Sequence, residues 1–200
     1  GLNNDQKRTI HNSIISKEYS IISGCKNSGK TLVLTNLINF YESQRKSILV
    51  ICPSDSSVDK ISRRLSNVLP FAIVRDQEIF LTKSDSIRKV KVFLTNVKDF
   101  ENSFFLEKKF DILFVDDCER IKMSSLIGPL NSSQKFVLCG DSYQCESDFL
   151  SAFSFLNAEK NDFNFLRTKY KKSEKIHNLE NSMIYKYSTF VENRTFSELK

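Results

Sequence analysis

Residues 24–31 read Gly-Cys-Lys-Asn-Ser-Gly-Lys-Thr. Two glycines flank four residues, and a lysine and a hydroxyl follow, which fits the pattern G-x-x-x-x-G-K-[ST] without a mismatch. The chemistry of this pattern is phosphate binding. Gly24 and Gly29 allow a tight turn and close backbone approach. The N–H groups of Cys25, Lys26, Asn27 and Ser28 then point into one concavity, and the next helix adds its N-terminus. Together they hold α- and β-phosphates. Lys30 is expected to reach the β- and γ-phosphates and Thr31 to ligate Mg²⁺, so the expected ligands are ATP and Mg²⁺. The alternative reading of the same residues is a chance glycine-rich turn.

Such a loop needs a carboxylate for its metal. Phe110–Asp117 (FDILFVDD) offers one where an apolar run ends. Asp116 is expected to bind Mg²⁺ through water, and Asp117 to orient or deprotonate the attacking water. Two acids in an ordinary turn are the alternative. A third apolar run, Phe136–Gly140, ends in Asp141-Ser142-Tyr143-Gln144, where Gln144 is placed to sense the γ-phosphate or the water. The reading requires Asp116 to lie near the Thr31 hydroxyl, on a strand adjacent to the one that feeds Gly24.

The elements that must position these groups are visible as alternating patterns. Short, nearly continuous apolar runs occur at Tyr19–Ser23, Ile48–Cys52, Lys91–Thr95, Ile112–Asp116 and Phe136–Gly140. Runs of this kind suit strands covered on both faces. Thr31–Tyr41 and Ser57–Val68 carry apolar residues at helical spacing. The expected fold is α/β, a P-loop NTPase with a parallel sheet and helices on both faces. Pro53 should stop the second strand, with Ser56 or Ser57 capping the next helix. Phe71–Arg75 is a further possible strand, and the rest of 70–90 shows no clear period. After Asp148 the pattern is helical, then extended near Phe163–Leu166, then helical from Ser173. A boundary is placed near 158–166, giving a first unit over 1–160 and the start of a second over 161–200.

Composition narrows the class. The chain has 200 residues, 40% hydrophobic and 27% charged, an ordinary globular balance with a net charge of +6. A basic balance permits a polyanionic partner without proving one. The cluster Arg167, Lys169, Lys171, Lys172 and Lys175 is either a solvated face or a phosphate-facing site. The five cysteines at 25, 52, 118, 139 and 145 form no C-x-x-C pair, which argues against zinc or an iron–sulfur cluster in this segment and suits free thiols. No apolar run is long enough to span a bilayer, and no signal-peptide pattern opens the chain. A soluble intracellular protein is expected, and the Gly1 start suits a segment of something longer.

This ordered motif set resembles the superfamily-1 helicases. Within them it is most similar to the replication helicase–nucleases that trim Okazaki-fragment flaps. Leu2-Asn3-Asn4-Asp5-Gln6 matches that group's L-N-x-x-Q, and the resemblance implies that Gln6 reads the adenine edge. Pro53–Ile61 resembles motif Ia and Phe93–Asn96 falls at motif Ic, which implies single-stranded DNA contacts at Ser54, Ser56, Thr95 and Asn96. Leu126–Leu130 and Lys135–Gln144 continue the match, and Leu166–Lys171 falls on motif IV. There Lys171 stands where the group's phosphate-reaching arginine would be. Asn181–Tyr185 implies the first helix of the second RecA-like domain. The implied whole is an ATP-dependent DNA helicase motor in a nuclear replication or repair protein, with further helicase and nuclease domains as partners in the same chain.

Several positions depart from the group. Asp117 replaces glutamate, holding its carboxylate roughly 1.5 Å further from the water, a misplacement that can cost about a hundredfold in rate. Cys145-Glu146-Ser147 replaces Leu-Pro-Pro, and Lys169 and Lys171 replace glutamine and arginine. The stretch between motifs Ia and Ic is short. A catalytically degenerate ATP-binding module with a regulatory or scaffolding role, or an RNA helicase of the same group, are therefore the competing readings. A GTPase or small-molecule kinase fits less well, because no N-K-x-D and no lid segment is present.

Overall fold

The computed structural model describes residues 1–83, 86–101, 103–105, 107–142, 144, 163–170 and 191–193. Its centre is an eight-stranded sheet in the order β4-β3-β5-β2-β6-β7-β1-β8. The strands are β1 (Tyr19–Gly24), β2 (Ile48–Cys52), β3 (Phe71–Arg75), β4 (Glu78–Thr82), β5 (Val92–Asn96), β6 (Phe110–Val115), β7 (Ser133–Gly140) and β8 (Phe163–Leu166). All neighbours are parallel except the β3–β4 hairpin. Parallel strands end on a common edge, so the ends of β1, β6 and β7 bring three polar loops together.

The central strands are apolar throughout because both faces are covered. One core gathers Ile48, Val50, Ile112 and Phe114 with Leu34, Ile38, Val58 and Ile61 of the helices α2 (Lys30–Ser43) and α3 (Asp55–Leu65). The other gathers Leu49, Ile51, Leu113 and Val115 with Phe93, Phe105, and Leu126 of α4 (Met123–Asn131). The in-between residues of each strand therefore serve opposite cores.

Helix α1 (Asn4–Ile15) precedes the sheet and was not evident from periodicity. Its buried residues are polar: Gln6, Thr9 and Ser13. Asn3 and Gln6 form a reciprocal capping box at its start. At its end Lys135 Nζ donates to the carbonyls of Ser13 (2.8 Å), Ile14 (3.2 Å) and Ser16 (2.5 Å). A cation satisfies orphan carbonyls there and opposes the negative end of the helix dipole.

Two expectations are corrected. β7 lies between β1 and β6, so the strand ending at Asp116 is not adjacent to the one feeding Gly24. The gap is bridged by α2, which packs on β7 and whose Thr31 hydroxyl reaches Asp116 after β6. The N-cap of α3 is Ser54, in extended conformation, rather than Ser56 or Ser57. β8 pairs with β1 through Ile21–Gly24 and so joins the same sheet, within the 158–166 stretch where the boundary is expected. The chain leaves that sheet only afterwards, where β9 (Thr168–Tyr170) pairs with β10 (Val191–Asn193). The helices expected after Asp148 and from Ser173, and Lys171 itself, lie outside the described residues.

Candidate nucleotide site

The loop after β1 closes as its sequence demands. Gly29 takes a left-handed φ of 88°, which a Cβ would strain, and Asn27 takes φ 67°, which asparagine tolerates. A Cβ on Gly24 would come within 2.5 Å of Ser28 Oγ and 3.0 Å of Leu166 Cβ. Lys30 Nζ donates back to the carbonyls of Gly24 (2.7 Å) and Cys25 (3.2 Å). A lysine has three donors, so one N–H remains for a phosphate.

Thr31 lies in the first turn of α2 and its hydroxyl donates to Asp116 Oδ2 at 3.4 Å. Asp116 extends the β6 line, its N–H donating to the Ile51 carbonyl at 3.0 Å. It has no exposed surface, and its Oδ1 is buried with no hydrogen-bond partner among the described residues. Burial, and then the neighbouring Asp117 charge, push its pKa up to about 6. Lys60 and Lys30 pull the other way. Lys60 Nζ stands 4.0 Å from Oδ2, but its side chain is 46% exposed, so water screens much of that pair. An unsatisfied buried carboxylate oxygen beside a hydroxyl is a hard oxygen donor set, and it fits Mg²⁺.

A cleft of about 410 Å³ opens in front of these groups. Cys25, Lys26, Asn27, Ser28, Gly29, Lys30 and Thr31 line one side, Asp117, Glu119, Arg120, Asp141 and Gln144 another. The structure thus gathers the phosphate loop, the acids after β6 and the Asp141/Gln144 pair after β7, as the sequence order implied. Gln144 Nε2 donates to Asp141 Oδ2 at 2.9 Å.

Other residues expected at the site have partners within the fold. Gln6 is fully buried. Its Oε1 accepts from Asn3 N–H (3.0 Å) and its Nε2 donates to the Ser28 carbonyl (3.1 Å). It thereby ties the start of α1 to the phosphate loop. Thr95 is fully buried, its hydroxyl donating to the Val74 carbonyl at 2.9 Å. Asn96 donates to Asp55 Oδ1 (2.9 Å) and Asp99 Oδ2 (2.7 Å) and accepts from the N–H groups of Lys98 and Asp99. Both brace the β5 end, because an unpaired polar group there would carry a desolvation cost. Ser54 and Ser56 share a hydroxyl contact at 3.0 Å on the α3 N-terminus, where Ser56 is exposed and open to a phosphate.

Sequence reasoning missed Glu119, Lys60 and Arg64, all lining the cleft. Lys60 and Arg64 lie one helical turn apart on α3, a spacing that signals a shared face. Glu119 sits in the short turn Cys118–Arg120 and belongs to no motif.

Comparison with known proteins agrees with this geometry. Residues 1–94 match a family described as AAA domain. The chain is 27% identical over 231 aligned positions to the DNA replication ATP-dependent helicase/nuclease dna2 of Schizosaccharomyces pombe, covering 100% of this chain and 16% of that protein. It is 26% identical over 219 positions to the DNA replication ATP-dependent helicase/nuclease DNA2 of Homo sapiens, covering 92% of this chain and 21% of that protein. The chain therefore spans a small part of the length of these curated relatives. Among solved structures, the arterivirus nonstructural protein 10 (helicase) in complex with DNA superposes with a TM-score of 0.58 at 16% identity, covering 94% of this chain and 45% of that one. The UvsW helicase from bacteriophage T4 superposes at 0.58 and 13% identity, covering 82% of this chain and 58% of that one. The structural likenesses establish a P-loop NTPase-like α/β fold shared with helicases. In sequence the chain is similar to the DNA replication ATP-dependent helicase/nucleases, and in fold it is similar to helicases.

Proposed function

We propose that this chain is the nucleotide-binding part of a helicase motor that binds MgATP and hydrolyses it to move on single-stranded DNA. The observation that carries this reading is the meeting of the Thr31 hydroxyl and the buried Asp116 carboxylate at 3.4 Å beside the phosphate loop. When bound there, Mg²⁺ would neutralise phosphate charge and orient the transferring group. Residues 25–31 hold the phosphates through backbone N–H groups, and Lys30 adds its charge. Asp117 and Gln144 face the side of the cleft from which water would attack.

Single-stranded DNA is assigned to the α3 N-terminus, where Ser54 and Ser56 and the helix N–H groups suit a backbone phosphate. The chain after Leu166 is assigned to the start of a second RecA-like unit, and Lys171 to a phosphate contact, as its motif IV position implies. Closure of two such units is what converts hydrolysis into movement. A nuclease domain elsewhere in the protein and a nuclear location follow from the kinship with replication helicase/nucleases.

The test is ATP turnover by the intact protein with and without single-stranded DNA. Turnover should rise tenfold or more with DNA and vanish in Lys30→Ala. Turnover that ignores DNA would favour the regulatory module, and turnover that survives Lys30→Ala would remove the site.

A further inference from the structure

Asp117 is one methylene shorter than the glutamate that the resemblance leads one to expect, yet a longer acid stands two residues on. Asp117 adopts a left-handed backbone, φ 48° and ψ 46°, and the chain turns inward after it. Cys118 is 0% and Glu119 8% exposed as a result. Glu119 lines the same cleft as Lys30, Thr31, Asp141 and Gln144. Its carboxylate accepts from its own backbone N–H and from the Asp141 backbone N–H, and the latter ties it to the end of β7. Its Oε2 is buried and has no hydrogen-bond partner among the described residues.

A buried carboxylate oxygen without a partner is costly and rare, so its retention calls for an explanation. A purely structural glutamate would satisfy both oxygens. Here one oxygen is anchored and the other is spare, beside the lysine of the phosphate loop. That is the arrangement of a base held ready for a water molecule, which must lie within hydrogen-bond reach of the acid that takes its proton.

We propose that Glu119, rather than the shorter Asp117, is the catalytic base for the water that attacks the γ-phosphate. The inference rests on the MgATP reading of this cleft. The water oxygen forms a bond to the γ-phosphorus. The bond from that phosphorus to the β,γ-bridging oxygen breaks, its electron pair staying on ADP. The water proton passes to Glu119 and from there to bulk solvent. The Asp141 amide keeps the carboxylate oriented, and Asp117 is left to position the water.

The test uses the intact protein, a fluorescent ATP analogue for binding, and chromatography of the bound nucleotide. Glu119→Gln keeps the shape and the Asp141 hydrogen bond and removes the basicity. Nucleotide binding should stay within threefold, turnover should fall about a hundredfold or more, and the bound nucleotide should remain triphosphate. Turnover within threefold of wild type overturns the proposal, as does a loss of Mg²⁺-dependent binding, which would make Glu119 a ligand. Should Glu119→Gln not fold, Glu119→Asp decides. A tenfold or greater fall in turnover with binding kept supports the base, and unchanged turnover overturns it. Lys30→Ala separates the two levels. If it is inactive while Glu119→Gln is normal, only the base assignment fails. If wild type neither binds nor turns over nucleotide, the MgATP reading fails and this one with it.

Discussion

The Thr31 hydroxyl donates to the Asp116 carboxylate across 3.4 Å, although 85 residues separate the two. One lies in the first turn of a helix and the other directly follows a strand, and β7 lies between that strand and the one that feeds the loop. Thr31→Val keeps the volume and removes the donor oxygen. Mg²⁺-dependent binding of an ATP analogue should fall tenfold or more, while binding in chelator stays unchanged. Equal loss in both conditions would mean that the hydroxyl has no part in holding metal.

The buried acids predict an unusual pH profile. Asp116 is pushed up to about 6 and Glu119 up to about 7, each chiefly by burial. Both folded values exceed the ordinary ones, so the folded state holds these protons more tightly than the unfolded chain. Their stabilising contribution is full below about pH 4 and is lost as pH rises through 6 to 7, at about 1.4 kcal/mol per pKa unit. In chelator, Glu119→Gln should therefore raise the Tm at pH 8 by several degrees and leave it nearly unchanged at pH 5. The reverse pattern would show that Glu119 is stabilised as its anion.

Gly29 combines a left-handed φ of 88° with a tight neighbour, since a Cβ there would run into Gln6 Nε2. Gly29→Ala should cost on the order of 1–3 kcal/mol from backbone strain alone. It should also weaken nucleotide binding, because Gln6 could no longer hold the Ser28 carbonyl. Urea melts and analogue titrations check the two effects, and a neutral substitution would mean the loop yields easily.

Lys135 holds three carbonyls at the α1 terminus. Lys135→Met keeps the aliphatic stem and removes the charge. A loss of about 1.5–3 kcal/mol is expected for hydrogen bonds from a charged donor. Hydrogen exchange should show faster opening in 4–16 than in the sheet. Uniform exchange would mean that α1 is held by its apolar contacts alone.

Much of this was legible because it rests on local chemistry. The loop at 24–31, the five buried runs and the helices α2 and α3 follow from residue type and spacing, and the observed bounds differ by a few residues. α1 escaped because Gln6, Thr9 and Ser13 form its buried face, so no apolar stripe marks it. β4 escaped because its face is exposed and its turn residues, Asp76 and Gln77, take positive φ without the usual glycine. The order of β6, β7 and β1 is set by crossover connections, about which periodicity is silent. Thr95 and Asn96 look like free polar ends of a strand in sequence, and only the fold shows Val74, Asp55 and Asp99 using them. Glu119 has no motif because its value comes from a left-handed residue at 117.

Equilibrium binding of a fluorescent ATP analogue to wild type and Lys30→Ala, each with Mg²⁺, tests the central claim most directly. Wild type should bind saturably, and Lys30→Ala should bind at least a hundredfold more weakly while keeping its Tm within a few degrees. Equal binding by the two proteins, or no binding by a folded wild type, would contradict a triphosphate site built on residues 24–31.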